Sequence, residues 1–254
     1  MRLEKSVKSG ENKVKQILDK IYAGNREILY KKIIKKLKYK EPQMIITANP
    51  EIVMWAEREK DIYHLLLDEK DVEVIADGIG IVKAGKMLLN KNILRIPGIE
   101  VVEQILKIAD KNKYSLFVYG SKEEVLKRFQ KVLEENYKNI CVLGLKNGYD
   151  SNPQKIACDI KALKPDVVLV ALGVPKQELY IKNYLFPLEK GVYIGVGGSI
   201  DVLAGMVKRA PQFFINNNLE WLYRIVKEPK RMKRFYENNI KFLLKGAYIK
   251  LWEK

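Results

Sequence analysis

Histidine occurs once in the 254 residues, at position 64, and cysteine twice, at 141 and 158. So little histidine excludes a histidine-pair acid–base site and a histidine-rich metal centre. His64 itself falls in a helical stretch away from any strand end, where a structural or surface role is expected. Cys141 lies in an apolar strand-like run and Cys158 in a helical one, so both are expected as small buried hydrophobes, with neither a disulfide nor a metal cluster. No apolar run approaches the roughly 18 residues that cross a bilayer. The opening MRLEKSVKSG has no apolar stretch of signal-peptide type, and a cytoplasmic location is expected. Internal repeats and low-complexity linkers are also missing, so 254 residues read as one large domain or a domain with an appendage.

What is present in excess is positive charge, and it is unevenly placed. The total is +16; residues 1–40 hold 13 Lys/Arg against 4 Asp/Glu, residues 41–204 hold 22 against 23, and residues 205–254 hold 12 against 4. A neutral centre with basic ends suits a polyanion partner such as an anionic lipid, a phosphorylated ligand or nucleic acid. A solvated lysine-rich surface is the plainer alternative for the N-terminal lysines.

Short apolar runs alternate with helical patterns through the centre. Residues 43–47, 72–76, 114–120, 139–144, 166–173 and 192–197 each read as a strand buried on both faces. Helices are expected over 50–67, about 80–90, 100–112, 122–136, 153–163 and 176–186, the first with Pro50 in its opening turn. This alternation implies an α/β fold, a mainly parallel Rossmann-like sheet with helices on both faces. Residues 16–22 are expected to add an edge strand, with Asn25 capping a helix through Leu37. Residues 205–254 read as a basic helical appendage to a catalytic domain of residues 1–204. Within it Ile240, Leu244, Ala247 and Leu251 form one apolar stripe with Tyr248 beside it. That stripe could pack on the body or, with Trp252, lie on an anionic leaflet.

In open parallel sheets ligands bind beyond the carboxyl ends of the strands, where this chain puts its unusual residues. These are Thr47 and Asn49, Asp77–Gly78, Gly120–Ser121, Gly144 to Gly148, the stretch LGVPKQE (172–178) and the stretch GVGGSID (195–201). Asp-Gly is also a common turn and Asn-Pro a common helix start. Asp77 differs in closing a strand whose apolar neighbours would desolvate its carboxylate and raise its proton affinity.

The motifs ITANPEIV, ADGIGIV, RIPG, LGVPKQE, GVGGSIDVLAG, KRAP and LEWLYRIVKEPKR follow one another in order, and together they resemble the WecG/TagA/CpsF family of bacterial glycosyltransferases. The resemblance implies transfer of an N-acetylmannosamine-type sugar from a UDP donor to a polyprenyl-diphosphate-linked N-acetylglucosamine, closest to the members acting early in wall teichoic acid synthesis. It implies a peripheral position on the inner face of the cell membrane, with no cofactor. It puts the base on Asp77, with Thr47 and Asn49 holding the acceptor or orienting the base. Arg95 becomes a sugar or phosphate contact, its plainer reading being a surface ion pair. Gln177 and Asp201 are placed toward the uridine or ribose, Gly173 and Gly197 suit close backbone approach, and Arg224, Arg231 and Arg234 of the appendage reach for the diphosphate. Arg209 is a weaker candidate for the same task.

Many glycosyltransferases hold a divalent metal with an Asp-x-Asp pair, and that pair is missing from this sequence. The leaving diphosphate is therefore expected to meet backbone N–H groups and arginines instead. Glu100 stands where many members carry Asp and is left out of the site; Ile200 replaces a common Phe, an apolar exchange. A dinucleotide oxidoreductase would share the sheet, but the spacing G-x-G-x-x-G after the first strand is incomplete. A nucleic-acid module would explain the charge but lacks the aromatic strand or zinc spacing. No nucleic acid partner is expected, and homo-oligomer formation is left open.

Overall fold

A computed structural model describes residues 13–67, 70–149, 152–185, 190–227 and 231–252, except the side chains of Arg231, Arg234 and Trp252. Six strands form one parallel sheet: β1 (Pro42–Ala48), β2 (Val72–Ala76), β3 (Ser115–Gly120), β4 (Cys141–Lys146), β5 (Val167–Ala171) and β6 (Gly191–Gly195), in the order β2-β1-β6-β5-β3-β4. The helices are α1 (13–20), α2 (Arg26–Lys38), α3 (Pro50–Arg58), α4 (Lys60–Leu67), α5 (Ile79–Leu89), α6 (Gly98–Asn112), α7 (Glu123–Asn136), α8 (Pro153–Leu163), α9 (Lys176–Tyr180), α10 (Ser199–Leu203), α11 (Gln212–Asn216), α12 (Glu220–Lys227), α13 (Arg231–Phe235) and α14 (Lys241–Trp252). Short π-helical turns follow α9 and α13, at Ile181–Leu185 and Tyr236–Ile240.

Strand residues alternate between two cores, as the period of two requires. Met44, Ile46, Val74, Val168 and Val170 face the core built with α1, α3, α4, α5, α8 and α9, while Ile45, Ile75, Leu116, Leu169 and Ile194 face the one built with α2, α6, α7 and α10. The parallel sheet and its flanking helices follow the sequence expectation, except that β4, expected to be buried on both faces, lies at the sheet's margin with Cys141 and Val142 exposed.

Three local expectations fail, each for a packing reason. Residues 16–20 complete α1 rather than form an edge strand, because Val14, Ile17 and Leu18, with Ile21 just beyond the helix, bury one side; the Tyr22 N–H then donates to Val74 C=O at the β2 edge. The helix expected over 50–67 breaks at Glu59, whose backbone is extended. Unbroken, at 3.6 residues per turn, it would point Ile52/Val53/Ala56 and Ile62/Leu65/Leu66 about 130° apart; the break turns both sets into one core. Cys141 and Cys158 are exposed thiols, not buried hydrophobes. Cys141 starts β4, which pairs only with β3 at the sheet's margin.

The C-terminal helices return onto the body near β1 and β2. Helix α14 packs against α3 and α5 through Phe242, Gly246 and Ile249, with Lys245 paired to Glu57. Of the stripe read from the sequence, Leu244 and Leu251 are 65% and 70% exposed and Ala247 is exposed with them, while Ile240 is half-buried and turned toward the body. The face packed on the body is therefore a different one. No described helix is long and apolar enough to cross a membrane.

Candidate active site

Asp77 follows the last residue of β2 and is pinned on three sides. Its N–H donates to Ala48 C=O at 2.9 Å, its C=O accepts from Arg95 Nε at 2.9 Å, and its Oδ1 accepts from the Gly98 N–H at 2.7 Å. Gly98 opens α6, so the carboxylate meets the positive end of a helix. Close approach requires the glycine: a Cβ there would stand 2.9 Å from Thr47 Cγ2. Burial nevertheless pushes the Asp77 carboxyl above its ordinary value; the Gly98 N–H, Arg224 and Arg95 counteract the rise, and Glu220 adds to it.

Two adjoining cavities meet at this carboxylate. One, of about 300 Å³ and largely polar, is lined by Thr47, Asn49, Asp77, Gly173, Gln177 and Gly197, among others. Its neighbour, of about 530 Å³ and more apolar, runs beneath the appendage past Pro50, Ile79, Lys83, Arg95, Ile240 and Leu243. Asp77, Asn49, Glu51, Ser199, Trp221, Arg224, Phe235 and Asn239 border both. The Trp221 and Phe235 rings stack with centroids 4.7 Å apart and planes 8° apart. They belong to α12 and α13, so the appendage forms a wall of the site.

The expected residues take different parts. Asn49 caps α3, its Oδ1 accepting from the Ile52 N–H at 3.1 Å, and borders both cavities. Gln177 is buried, and its Oε1 accepts from the N–H groups of Gly173 and Gly197 at 3.1 and 3.0 Å, tying the β5 loop to the β6 loop. Both glycines have positive φ, +76° and +44°, at which a side chain would be strained. Arg95 donates to Glu220 at 2.5 Å and to Asn218 at 2.9 Å, so it joins the appendage to the end of β2 while lining the larger cavity.

Other expected residues stand apart from the cavities. Asp201 lies behind the Gly197–Gly198 turn and lines neither one. The same holds for Gly120–Ser121 and Gly144–Gly148, at the ends of β3 and β4. Arg209 pairs with Glu100 at 3.2 Å. Arg231 and Arg234 belong to α13, but their side chains lie outside the described set. His64 is exposed on α4, its ring edge-on to Tyr63. Among the described residues no group of three His, Cys, Asp or Glu is placed to hold a metal.

Sequence reasoning missed Lys83, Trp221, Phe235 and Asn239. Trp221 lies within LEWLYRIVKEPKR, and Phe235 and Asn239 lie in the helical-period segment 235–252; Lys83 had no signal.

A parallel sheet with a half-buried carboxylate and a cation at the ends of its strands is a framework shared by many group-transfer enzymes. This chain belongs to the glycosyl transferase WecG/TagA/CpsF family, which it matches over residues 18–254; it is a glycosyltransferase. It is 40% identical over 191 residues to the N-acetylglucosaminyldiphosphoundecaprenol N-acetyl-beta-D-mannosaminyltransferase of Bacillus subtilis (strain 168), covering 75% of this chain and 74% of that protein. The protein of the same name from Staphylococcus aureus (strain MW2) is 39% identical over 190 residues, with the same coverage.

Proposed function

We propose that the chain moves N-acetylmannosamine from UDP-N-acetylmannosamine to the N-acetylglucosamine of undecaprenyl-diphosphate-N-acetylglucosamine, with inversion and without a metal, in the synthesis of wall teichoic acid or a related surface glycan. The observation that carries this reading is Asp77, a desolvated carboxylate at the junction of two cavities with Arg224 beside it. The names of the relatives supply the sugar and the carrier.

In this mechanism the polar cavity takes the nucleotide sugar and the more apolar one the lipid-linked acceptor. The acceptor hydroxyl gives its proton to the Asp77 carboxylate while its oxygen bonds to the anomeric carbon. The bond from that carbon to the phosphate oxygen breaks, and its electron pair leaves with UDP. Burial makes Asp77 a stronger base than a solvated aspartate, and the Gly98 N–H keeps its inner oxygen in place. Asn49, which borders both cavities, orients the acceptor, and Thr47, packed against Gly98, helps orient the base. Gln177 acts by shaping the Gly173 and Gly197 loops around the donor, and Asp201 supports that turn from behind. Arg224, which borders both cavities, offsets the charge of the departing diphosphate together with Arg231 and Arg234, and Lys83 meets the acceptor's own diphosphate in the larger cavity.

The proposed location is the inner face of the cell membrane, with residues 205–254 as the contacting appendage. Support comes from the exposed apolar side chains of Val226, Leu244, Tyr248 and Leu251 in a segment holding 12 basic residues against 4 acidic. The test is sugar transfer from UDP-N-acetylmannosamine to a short-chain lipid-diphosphate N-acetylglucosamine, with and without EDTA. A β-linked disaccharide formed equally in both supports the reading. An α-linked product, or turnover abolished by EDTA and restored by a divalent ion, overturns the corresponding part.

A further inference from the structure

Helix α12 carries Arg224 into the site, yet little apolar packing holds it there. Across residues 211–227 the one buried side chain is Glu220, while Trp221, Leu222 and Val226 are exposed. An eight-residue helix with so little core contact cannot fix its position by hydrophobic burial. Trp221 stacks on Phe235 and Tyr223 meets Phe214, contacts within the appendage itself, whereas the side-chain ties to the body are polar. Glu220 Oε2 accepts from Arg95 at 2.5 Å, and Arg95 also donates to Asn218, the residue two before α12. A second arm joins Glu220 Oε1 to Arg209 Nε at 3.8 Å, and Arg209 continues through Glu100 to Arg26 on α2. Both atoms of the 3.8 Å contact are buried, without a hydrogen bond to any described residue.

The same arginine grips the base, since Arg95 Nε donates to the Asp77 carbonyl. Glu220 and Arg224 are four residues apart, so they share a helix face about 6 Å apart along the axis. We propose that Glu220 is a positioning residue: its pair with Arg95 anchors the first turn of α12 to the end of β2 and so stands Arg224 beside Asp77. The base and the cation that offsets the leaving diphosphate are thereby set relative to one another through one guanidinium. Arg95 then acts through the residues it holds, and Glu220 never touches substrate. This inference rests on the sugar-transfer reading for its kinetic consequence only.

The test is a double-mutant cycle with Glu220→Gln and Arg224→Ala, read as kcat and KM in the transfer assay. Glu220→Gln alone is expected to lower kcat 10- to 100-fold with the donor KM within about threefold of wild type. In the Arg224→Ala background it should add less than about twofold. Effects of the two changes that multiply, or a Glu220→Gln enzyme of wild-type kcat, would overturn the proposal. Backbone hydrogen exchange gives a readout independent of turnover: Glu220→Gln should speed exchange across 219–227 and leave the sheet protected. Unchanged exchange in that segment, or loss of protection throughout the body, would overturn it as well. A wild-type chain that transfers no sugar would sink the functional reading alone, and exchange would still decide the anchor.

Discussion

Asp77→Asn separates the chemistry of the site from its architecture. Asparagine has the same shape, and its Oδ1 still accepts from the Gly98 N–H, so the bond at 2.7 Å has a counterpart in the variant. What is lost is the ability to take a proton. A positioned base contributes about 10²- to 10⁴-fold, which is about 3–5 kcal/mol of barrier. The kcat for sugar transfer should fall by that factor while donor affinity, measured by calorimetry with UDP-N-acetylmannosamine, stays within about threefold. Stability should move the other way. The folded-state pKa of Asp77 is raised, so the folded protein holds this proton where the unfolded chain has released it, and stability falls as pH climbs through the folded pKa. Asparagine carries no such charge, so the variant's melting temperature at neutral pH should equal or exceed that of wild type, the difference vanishing in acid. A variant keeping more than about a tenth of wild-type kcat would refute the assignment of the base. So would one whose lost activity merely accompanies a lower melting temperature.

Arg224→Met removes an influence that lowers the Asp77 pKa, so the acid limb of the kcat/KM profile should shift to higher pH, besides a fall in rate. Asp166 titrates the opposite way: burial alone would raise its pKa, but hydrogen bonds from Lys190 and Ser115 hold it below the ordinary value. Asp166→Asn should therefore cost about 2 kcal/mol at neutral pH, and in urea unfolding that deficit should shrink below about pH 4, where the unfolded carboxyl takes up its proton. Leu244→Glu with Leu251→Glu should weaken binding to anionic lipid vesicles tenfold or more, about 2 kcal/mol of apolar burial per leucine at most, without altering turnover on a soluble short-chain acceptor.

The sheet was legible because its strands are apolar on both faces and end in glycine or polar residues, which leaves little choice of element type. Helix α1 was misread as a strand: Ile17, Leu18 and Ile21 around polar Asp19 and Lys20 already follow the helical period, and Val14 one turn earlier extends it. The floor of the site was visible for the same reason as the sheet, since Thr47, Asn49, Asp77, Gly173 and Gly197 are strand-end residues brought together by a parallel topology. Its roof was not. Helix α14 is apolar on more than one side, so periodicity could not choose between the Phe242/Gly246/Ile249 face, which packs, and the Leu244/Ala247/Leu251 face, which does not. Lys83 and Asn239 enter the site through that docking alone, and local sequence carries no trace of it. Arg95 was expected as a sugar or phosphate contact, but its partners Asn218 and Glu220 lie more than 120 residues further on. No local spacing could pair them.

The most direct measurement is a structure of the full chain with UDP-N-acetylmannosamine and a short-chain lipid-diphosphate N-acetylglucosamine bound. One Asp77 oxygen should lie about 3 Å from the acceptor hydroxyl that faces the anomeric carbon, with the uracil and ribose in the polar cavity by Gly173 and Gly197 and Arg224 on a phosphate oxygen. An anomeric carbon bound away from β2, with Asp77 contacting neither sugar, would contradict it.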